Sequence, residues 1–320
     1  MSPLPIERLK PSPAFCNVGI DYFGPYTIKG EVQKRIRGKA YGVIFTCFCS
    51  RAVHLDLAND YSTNGFLQVY RRFISFRGSP QKIFSDKGTC LTGASNELKA
   101  IVQGLNWDEI QQYGHQQGTV WDFAPGDAPW YNGATEALVK SAKKALNTMV
   151  GESIFTFSEL QTAMFEAAQL MNQRPIGRNP SKPEEGSYLC PNDLLLGRAS
   201  THVPQGPFKE RCSDKYRLDF IEKVVKCFWK KWVREIFPSL VIQPKWHTER
   251  RSVRNGDVVL IEDSNAIRGV WKMGLIIDAI RSSDNKVRRC KISYKTPNGT
   301  TEVIERAVQK LIVLVPANDE

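Results

Sequence analysis

The chain has 320 residues, with 44 Lys plus Arg against 33 Asp plus Glu and a formal charge of +11. That length allows about two packed domains, and the basic excess favours an anionic partner such as nucleic acid over an acidic protein surface. No run approaches the roughly 18 apolar residues of a membrane span, and the opening Met1-Ser-Pro-Leu-Pro-Ile6 lacks the apolar region of a secretory signal, so the chain reads as intracellular, without a membrane partner.

Ala14 to Pro25 reads as a strand, and a charged turn follows through Lys29-Gly-Glu-Val-Gln-Lys-Arg35. Two runs rich in β-branched and aromatic residues, Tyr41–Phe48 and Ala52–Leu57, predict two more strands and the start of an antiparallel sheet. Ser62 is placed to cap a helix whose apolar residues Phe66, Val69, Tyr70, Phe73 and Ile74 recur at helical spacing, with Gly78-Ser-Pro80 as its stop. Lys82-Ile-Phe-Ser-Asp86 then predicts a parallel strand, and Gly118–Phe123 a fifth. Between them Asn96–Gln103 is a short helical pattern, while the polar, Gln-rich Leu105–Gln117 reads as a loop insertion.

Asn132 is the expected N-cap of a helix from Ala134 to about Val150, and Ser158 with Gln161 looks like a capping box for the next helix, ending near Pro175. Residues Gly177 to Arg211, rich in Pro, Ser, Gly and Arg, read as a meandering connection. A long amphipathic helix follows, with Phe220, Ile221, Val224, Val225, Phe228, Trp232 and Ile236 on one side and Lys226, Lys230, Lys231 and Arg234 largely elsewhere. Its tryptophans are expected to serve as core anchors. From Asp257 onward short strands recur at Val258–Ile261, Trp271–Ile280, Val287–Tyr294, Thr301–Ile304 and Leu311–Val315, with hairpin signals at Asn298-Gly299 and, more weakly, Asp284-Asn285. Five short strands in that space predict a small closed barrel.

Three carboxylates stand out against this background. Asp21 interrupts the apolar run Val18–Phe23, Asp86 ends a strand, and Glu136 lies in the first turn of its helix. An ionised carboxylate among apolar neighbours is costly unless it is paired or bound to a metal, and oxygen ligands suit Mg²⁺ and Mn²⁺. Taken singly each has an ordinary reading: Asp21 on an edge facing solvent, Asp86 in a turn, Glu136 offsetting the helix dipole. Their order makes them a set.

Gly19-Ile-Asp-Tyr-Phe-Gly-Pro25, Phe84-Ser-Asp-Lys-Gly-Thr89 and Tyr131-Asn-Gly-Ala-Thr-Glu136, in that succession, resemble the Asp, Asp, Glu motif of retroviral and retrotransposon integrases. The likeness is greatest to the BEL/Pao retrotransposon group, also in Pro191-Asn-Asp-Leu-Leu-Leu-Gly-Arg198 and Phe228-Trp-Lys-Lys-Trp-Val-Arg234. It implies an α/β, RNase H-like mixed sheet flanked by helices, then a linker helix and a small SH3-like β-barrel. The corresponding boundaries are an N-terminal extension at 1–13, a catalytic core at 14–205, a linker and amphipathic helix at 206–245, and a barrel at 246–316. The residues of the family's N-terminal His/His/Cys/Cys zinc domain are missing. Consistent with that, the four histidines pair with no Cys-x-x-Cys, and the eight scattered cysteines read as reduced thiols.

The resemblance further implies metal-dependent DNA 3′-end processing and strand transfer. Asp21, Asp86 and Glu136 would be the catalytic residues and the ligands of two Mg²⁺ or Mn²⁺ ions; Glu97, Glu109 and Asp127 fall in the same interval as Glu136, with Asp127 its main rival. The partners implied are double-stranded DNA, as element ends and target, and further copies of the chain assembled on it, with a nuclear location. Lys140 and Lys143, one and two turns after Glu136, correspond to basic residues that contact the element's DNA end; alone they read as a solvated helix face. Lys87 stands where relatives commonly have Asn, and a cation beside Asp86 would weaken metal binding or contact phosphate. Lys230, Lys231, Arg234, Arg250 and Arg251 lie in the basic stretch Phe220–Asn255 and are further candidates for DNA contact. Two rival readings stay open: a catalytically silent DNA-binding or assembly module derived from an integrase, and a related metal-dependent nuclease that only hydrolyses.

Overall fold

The computed structural model describes residues 6–33, 35–60, 62–85, 105–123, 133–178, 188–197, 217–240, 251–263, 268–284, 286–296 and 300–317, with side chains except at 6, 8, 123, 133–137, 178, 217–219 and 238–239. A short helix, α1 (Ile6–Leu9), precedes a mixed sheet built from β1 (Asn17–Lys29), β2 (Arg37–Cys47), β3 (Val53–Ala58), β4 (Lys82–Ser85) and β5 (Val120–Phe123). The strand order is β3-β2-β1-β4-β5, with β1, β2 and β3 antiparallel and β4 and β5 parallel to β1. This mixed sheet agrees with the expected RNase H-like arrangement. β1 is longer than the sequence indicates, because it continues past a register shift between Phe23 and Tyr26. Gly24 sits in that irregularity at φ +103°, a conformation side chains rarely adopt, while a Cβ on Gly42 would come within 2.2 Å of the Phe23 ring across the strand pair.

Alternation along β1 sorts its side chains between two cores. Val18, Ile20 and Tyr22 join Phe45, Phe66, Tyr70 and Phe73 under α2 (Thr63–Arg77), which Ser62 caps as expected by accepting from the Gly65 N–H. Phe23 and Tyr26 face the opposite side, beneath α4 (Gly133–Val150) and α5 (Phe157–Asn172). The stretch expected as a loop at Leu105–Gln117 is instead largely a helix, α3 (Trp107–Gln116): Asn106 caps it, Asp108 and Glu109 suit its first turn, and Ile110 is fully buried. The capping box of α5 is likewise Thr156 with Glu159, not Ser158 with Gln161. Two residues before the expected start, β6 (Phe155–Thr156) pairs with Ile28 and Lys29 of β1, and this holds Thr156 extended so that the helix begins at Phe157.

Within the segment expected to meander lie a two-residue pair of strands, β7 (Gly177–Arg178) with β8 (Tyr188–Leu189), and a short helix, α6 (Pro191–Leu196). The expected helix at Asn96–Gln103, the Asn132 cap and the Asn298-Gly299 turn lie outside the described residues.

The long amphipathic helix forms as α7 (Arg217–Leu240). Its stripe of Ile221, Val224, Val225, Phe228, Trp229, Trp232, Val233, Ile236 and Phe237 is buried in one core with residues of α4 and α5. Trp232 and Trp229 are thus core anchors; Trp246 lies outside the described residues. Beyond α7, β9 (Val258–Ile261), β10 (Met273–Arg281), β11 (Val287–Lys295), β12 (Thr301–Ala307) and β13 (Leu311–Val315) form an antiparallel sheet in the order β12-β11-β10-β9-β13, with a 3-10 turn at Val308–Lys310. Five strands with that turn before the last fit the SH3-like arrangement. Val259, Ile261, Ile276, Cys290, Ile292 and Leu311 make its own core. No helix among the described residues is long and apolar enough to cross a membrane.

His54 on β3 is 5% exposed, close to Phe45, Phe73, Phe76 and Phe165, and its Nε2 meets no hydrogen-bond partner among the described residues. Burial, reinforced by the positive charge of Arg77, pushes its pKa down to about 4. The folded chain therefore keeps the ring neutral while the unfolded chain takes up a proton below about pH 6.5. The stabilising contribution is complete above that pH and is lost as pH falls toward 4, by about 3 kcal/mol in all. His54→Phe is expected to lose that much less stability across this window in urea titrations at stepped pH. Parallel losses in the two proteins would remove His54 from the acid response.

Candidate functional site

Asp21 occupies the middle of β1, opposite Ile44 of β2, and alternation turns it to the side covered by α4. Its neighbour in the other direction is β4. The parallel register pairs Asn17 with Lys82 and runs to Ile20 with Ser85, one residue short of Asp21 on one strand and of Asp86 on the other. Ser85 is buried and accepts a hydrogen bond from Trp121 Nε1 at 2.7 Å, which fixes the end of β4 against β5. Asp86 and Lys87 lie outside the described residues.

Helix α4 is tied across the same part of β1 by two side-chain bonds one helical turn apart. Lys143 Nζ donates to Asp21 Oδ2 at 2.7 Å, and Tyr26 Oη donates to Asn147 Oδ1 at 2.8 Å. The other carboxylate oxygen of Asp21, Oδ1, accepts from the Tyr22 N–H at 2.7 Å. Lys143 is 26% and Asp21 31% exposed, so the pair is open to water. Glu136 lies on α4 two turns before Lys143 and on the same helical face. Its side chain is outside the described residues. Lys140, between them, is exposed. Asn147 was not among the candidates read from the sequence, although its position one turn beyond Lys143 was a signal for it.

Sequence reasoning also passed over two buried carboxylates that test the criterion used for Asp21. Asp56, within the apolar His54-Leu-Asp-Leu57 of β3, is 1% exposed; Arg72 Nε donates to its Oδ2, and Gln161 Nε2 and the Leu57 N–H to its Oδ1, each at 2.7 Å. Asp257 is fully buried and holds both nitrogens of the Arg251 fork at 2.8 Å, together with the Arg254 and Ala317 N–H groups. Its pKa is lowered despite burial, chiefly by the hydrogen bond from Arg251. A carboxylate in an apolar strand is therefore not by itself a metal ligand. Among the described residues no group of three His, Cys, Asp or Glu side chains is arranged to hold an ion.

Residues 216–314 match a family described as a family of unknown function, DUF5641. No curated protein matches the chain. Among solved structures it is similar to a simian T-cell lymphotropic virus intasome in complex with the PP2A regulatory subunit B56 gamma, at 9% identity and a TM-score of 0.35, over 96% of this chain and 81% of that one. It is also similar to the HTLV-2 integrase catalytic core domain in complex with magnesium. The trimeric form gives 17% identity and a TM-score of 0.33 over 53% of this chain and 92% of that one; the dimeric form gives 13% and 0.31 over 48% and 85%.

The remaining candidate cations divide by what they touch. Arg251 is engaged by Asp257, and Lys231 pairs with Glu235 at 2.9 Å on its own helix, where Lys144 of α4 also reaches Glu235 at 3.1 Å. Lys230 and Arg234 are exposed one turn apart on α7, in line with exposed Lys226. Arg250 lies outside the described residues. The outward side of α7 is thus a basic ridge, opposite the aromatic stripe that it buries.

Proposed function

We propose that this chain is an integrase-like, metal-dependent polynucleotidyl transferase of the BEL/Pao type, which processes DNA 3′ ends and joins them to a target duplex as a homo-oligomer on DNA. One observation carries the reading. Asp21 follows Ile20, whose partner Ser85 is the last residue of β4, and Lys143 of the helix that bears Glu136 reaches Asp21, so β1, β4 and α4, which carry or lead into the three motif carboxylates, are neighbours.

Asp21 offers hard carboxylate oxygens, partly open to solvent, which suit a divalent cation of the Mg²⁺ or Mn²⁺ kind. Asp86 and Glu136 would complete the ligand set for two such ions. When bound, the ions supply activation of the attacking oxygen and neutralisation of the departing one. The chain's own contribution is orientation. The paired strands fix Asp21, α4 is pinned to β1 at Lys143 and Asn147, and Lys140, Lys230 and Arg234 offer exposed charge to phosphates. Affinity for DNA should then fall steeply with salt and owe little to base sequence.

A labelled-oligonucleotide assay with Mg²⁺ or Mn²⁺ tests this: joined products are expected. Cleaved products alone would indicate a nuclease, and a salt-sensitive shift with neither would indicate a silent DNA-binding module. The last reading has one observation in its favour, the Lys143 ammonium seated on Asp21. If that ammonium competes with a metal ion, Lys143→Ala will tighten Mn²⁺ binding by roughly three- to tenfold in calorimetry without DNA. Unchanged Mn²⁺ affinity with weaker DNA retention would instead make Lys143 a phosphate contact.

A further inference from the structure

The last hairpin of the C-terminal sheet leaves a strand with one side open. β12 pairs with β11 from Arg289 opposite Ala307 to Lys295 opposite Thr301, and among the described residues no strand pairs with its other edge. All seven of its residues but Ile304 are exposed, Val303 at 55%. Such an edge presents unpaired N–H and C=O groups to any strand that can align with it, and charged side chains are the usual means of blocking that. β12 carries three, Glu302, Glu305 and Arg306.

Their positions do more than block. We propose that β12 is a self-pairing edge, on which a second copy of this chain adds its own β12 antiparallel with Ile304 opposite Ile304. In that register Glu302 of each copy faces Arg306 of the other, twice across the two-fold axis, and Val303 faces Glu305. Sliding by one residue in one direction sets Glu302 against Glu305 twice; in the other it leaves Val303 against Arg306 and Ile304 against Glu305. Sliding by two sets Glu302 against Ile304, or Glu305 against Glu305. The Ile304-centred register alone among these joins opposite charges without apposing like ones. The charges thus select one partner and one alignment, and antiparallel pairing makes the contact close on itself as a dimer instead of growing into a fibre.

Within one copy, Glu305 is held by Arg289 at 3.0 Å and Glu302 accepts from Tyr294 Oη at 2.6 Å. Both bonds lie on the β11 side, so the strand's open edge stays accessible. Ile304 packs toward the core of the sheet, and its counterpart in the second copy would extend that apolar row. The proposal is independent of any catalytic role for the chain.

Sedimentation of the full chain across a wide concentration range should show a monomer–dimer equilibrium. Glu302→Arg and Arg306→Glu should each weaken it by roughly tenfold or more, since each places like charges opposite one another at two points. An equimolar mixture of the two variants should recover the association as a heterodimer, because a strand with arginine at both positions then lies against a strand with glutamate at both. Near-ultraviolet circular dichroism establishes that each variant is folded. A wild type that remains monomeric, single variants that dimerise as well as wild type, or a mixture that fails to recover would each overturn the proposal.

Discussion

Asp21→Asn should retain DNA and retain its fold, yet lose cutting and joining by roughly 10³-fold or more in the presence of Mg²⁺ or Mn²⁺. The substitution preserves the shape of the side chain and an oxygen to accept from the Tyr22 N–H, while removing the negative charge that a cation requires. Its cost to stability should be small, because the Asp21–Lys143 pair is partly exposed and screened by water. The urea midpoint and the oligonucleotide assay, measured on the same preparation, separate the two effects. A variant that still joins ends at the wild-type rate would exclude Asp21 from the chemistry. One that unfolds would show that its role is structural, as that of Asp56 is.

The second large effect concerns Trp232. It is fully buried where α7 packs on α4 and α5, its ring 6.0 Å from that of Phe228, and its Nε1 has no hydrogen-bond acceptor among the described residues. Trp232→Ala is expected to cost about 3–5 kcal/mol in urea unfolding through lost contacts and the cavity left behind. Trp232→Phe should cost much less than that, since the indole N–H it removes is already unsatisfied and the ring is largely retained. A midpoint for Trp232→Ala close to wild type would mean that α7 is a peripheral linker and not part of the core.

Much of this was legible in the chain itself, for reasons that differ from element to element. The helical repeat of α7 and the caps of α2 are local signals, and their positions follow directly from side-chain spacing. Five short strands with turn residues between them were likewise readable, because alternation and hairpin chemistry act over a few residues. What escaped depends on distant partners. The sequence holds two overlapping cap patterns, at Thr156 and at Ser158, and the choice between them is made by β1, which pairs with Thr156. Helix α3 looks polar and Gln-rich, yet Ile110 is buried and Trp107 packs against Trp121 of β5, contacts that spacing within the segment cannot reveal. At the site, the position of Asp21 was evident from its apolar neighbours, whereas its pairing with a lysine 122 residues further on depends on how α4 lies over the sheet.

The aromatic stripe of α7 also reaches the C-terminal sheet. Trp229 meets Trp271 edge to face at 5.3 Å, Arg268 pairs with Glu222 at 2.9 Å, and Leu260 and Ile312 join the core that α4 and α5 share with this helix. Cutting the chain near residue 216 would therefore not release two self-sufficient pieces: the front portion would lose the lid over its second helical layer, and the rear portion would carry a naked greasy rod. Anyone preparing either piece for crystallisation should expect precipitation unless the rod travels with the front portion or is recoated with polar side chains.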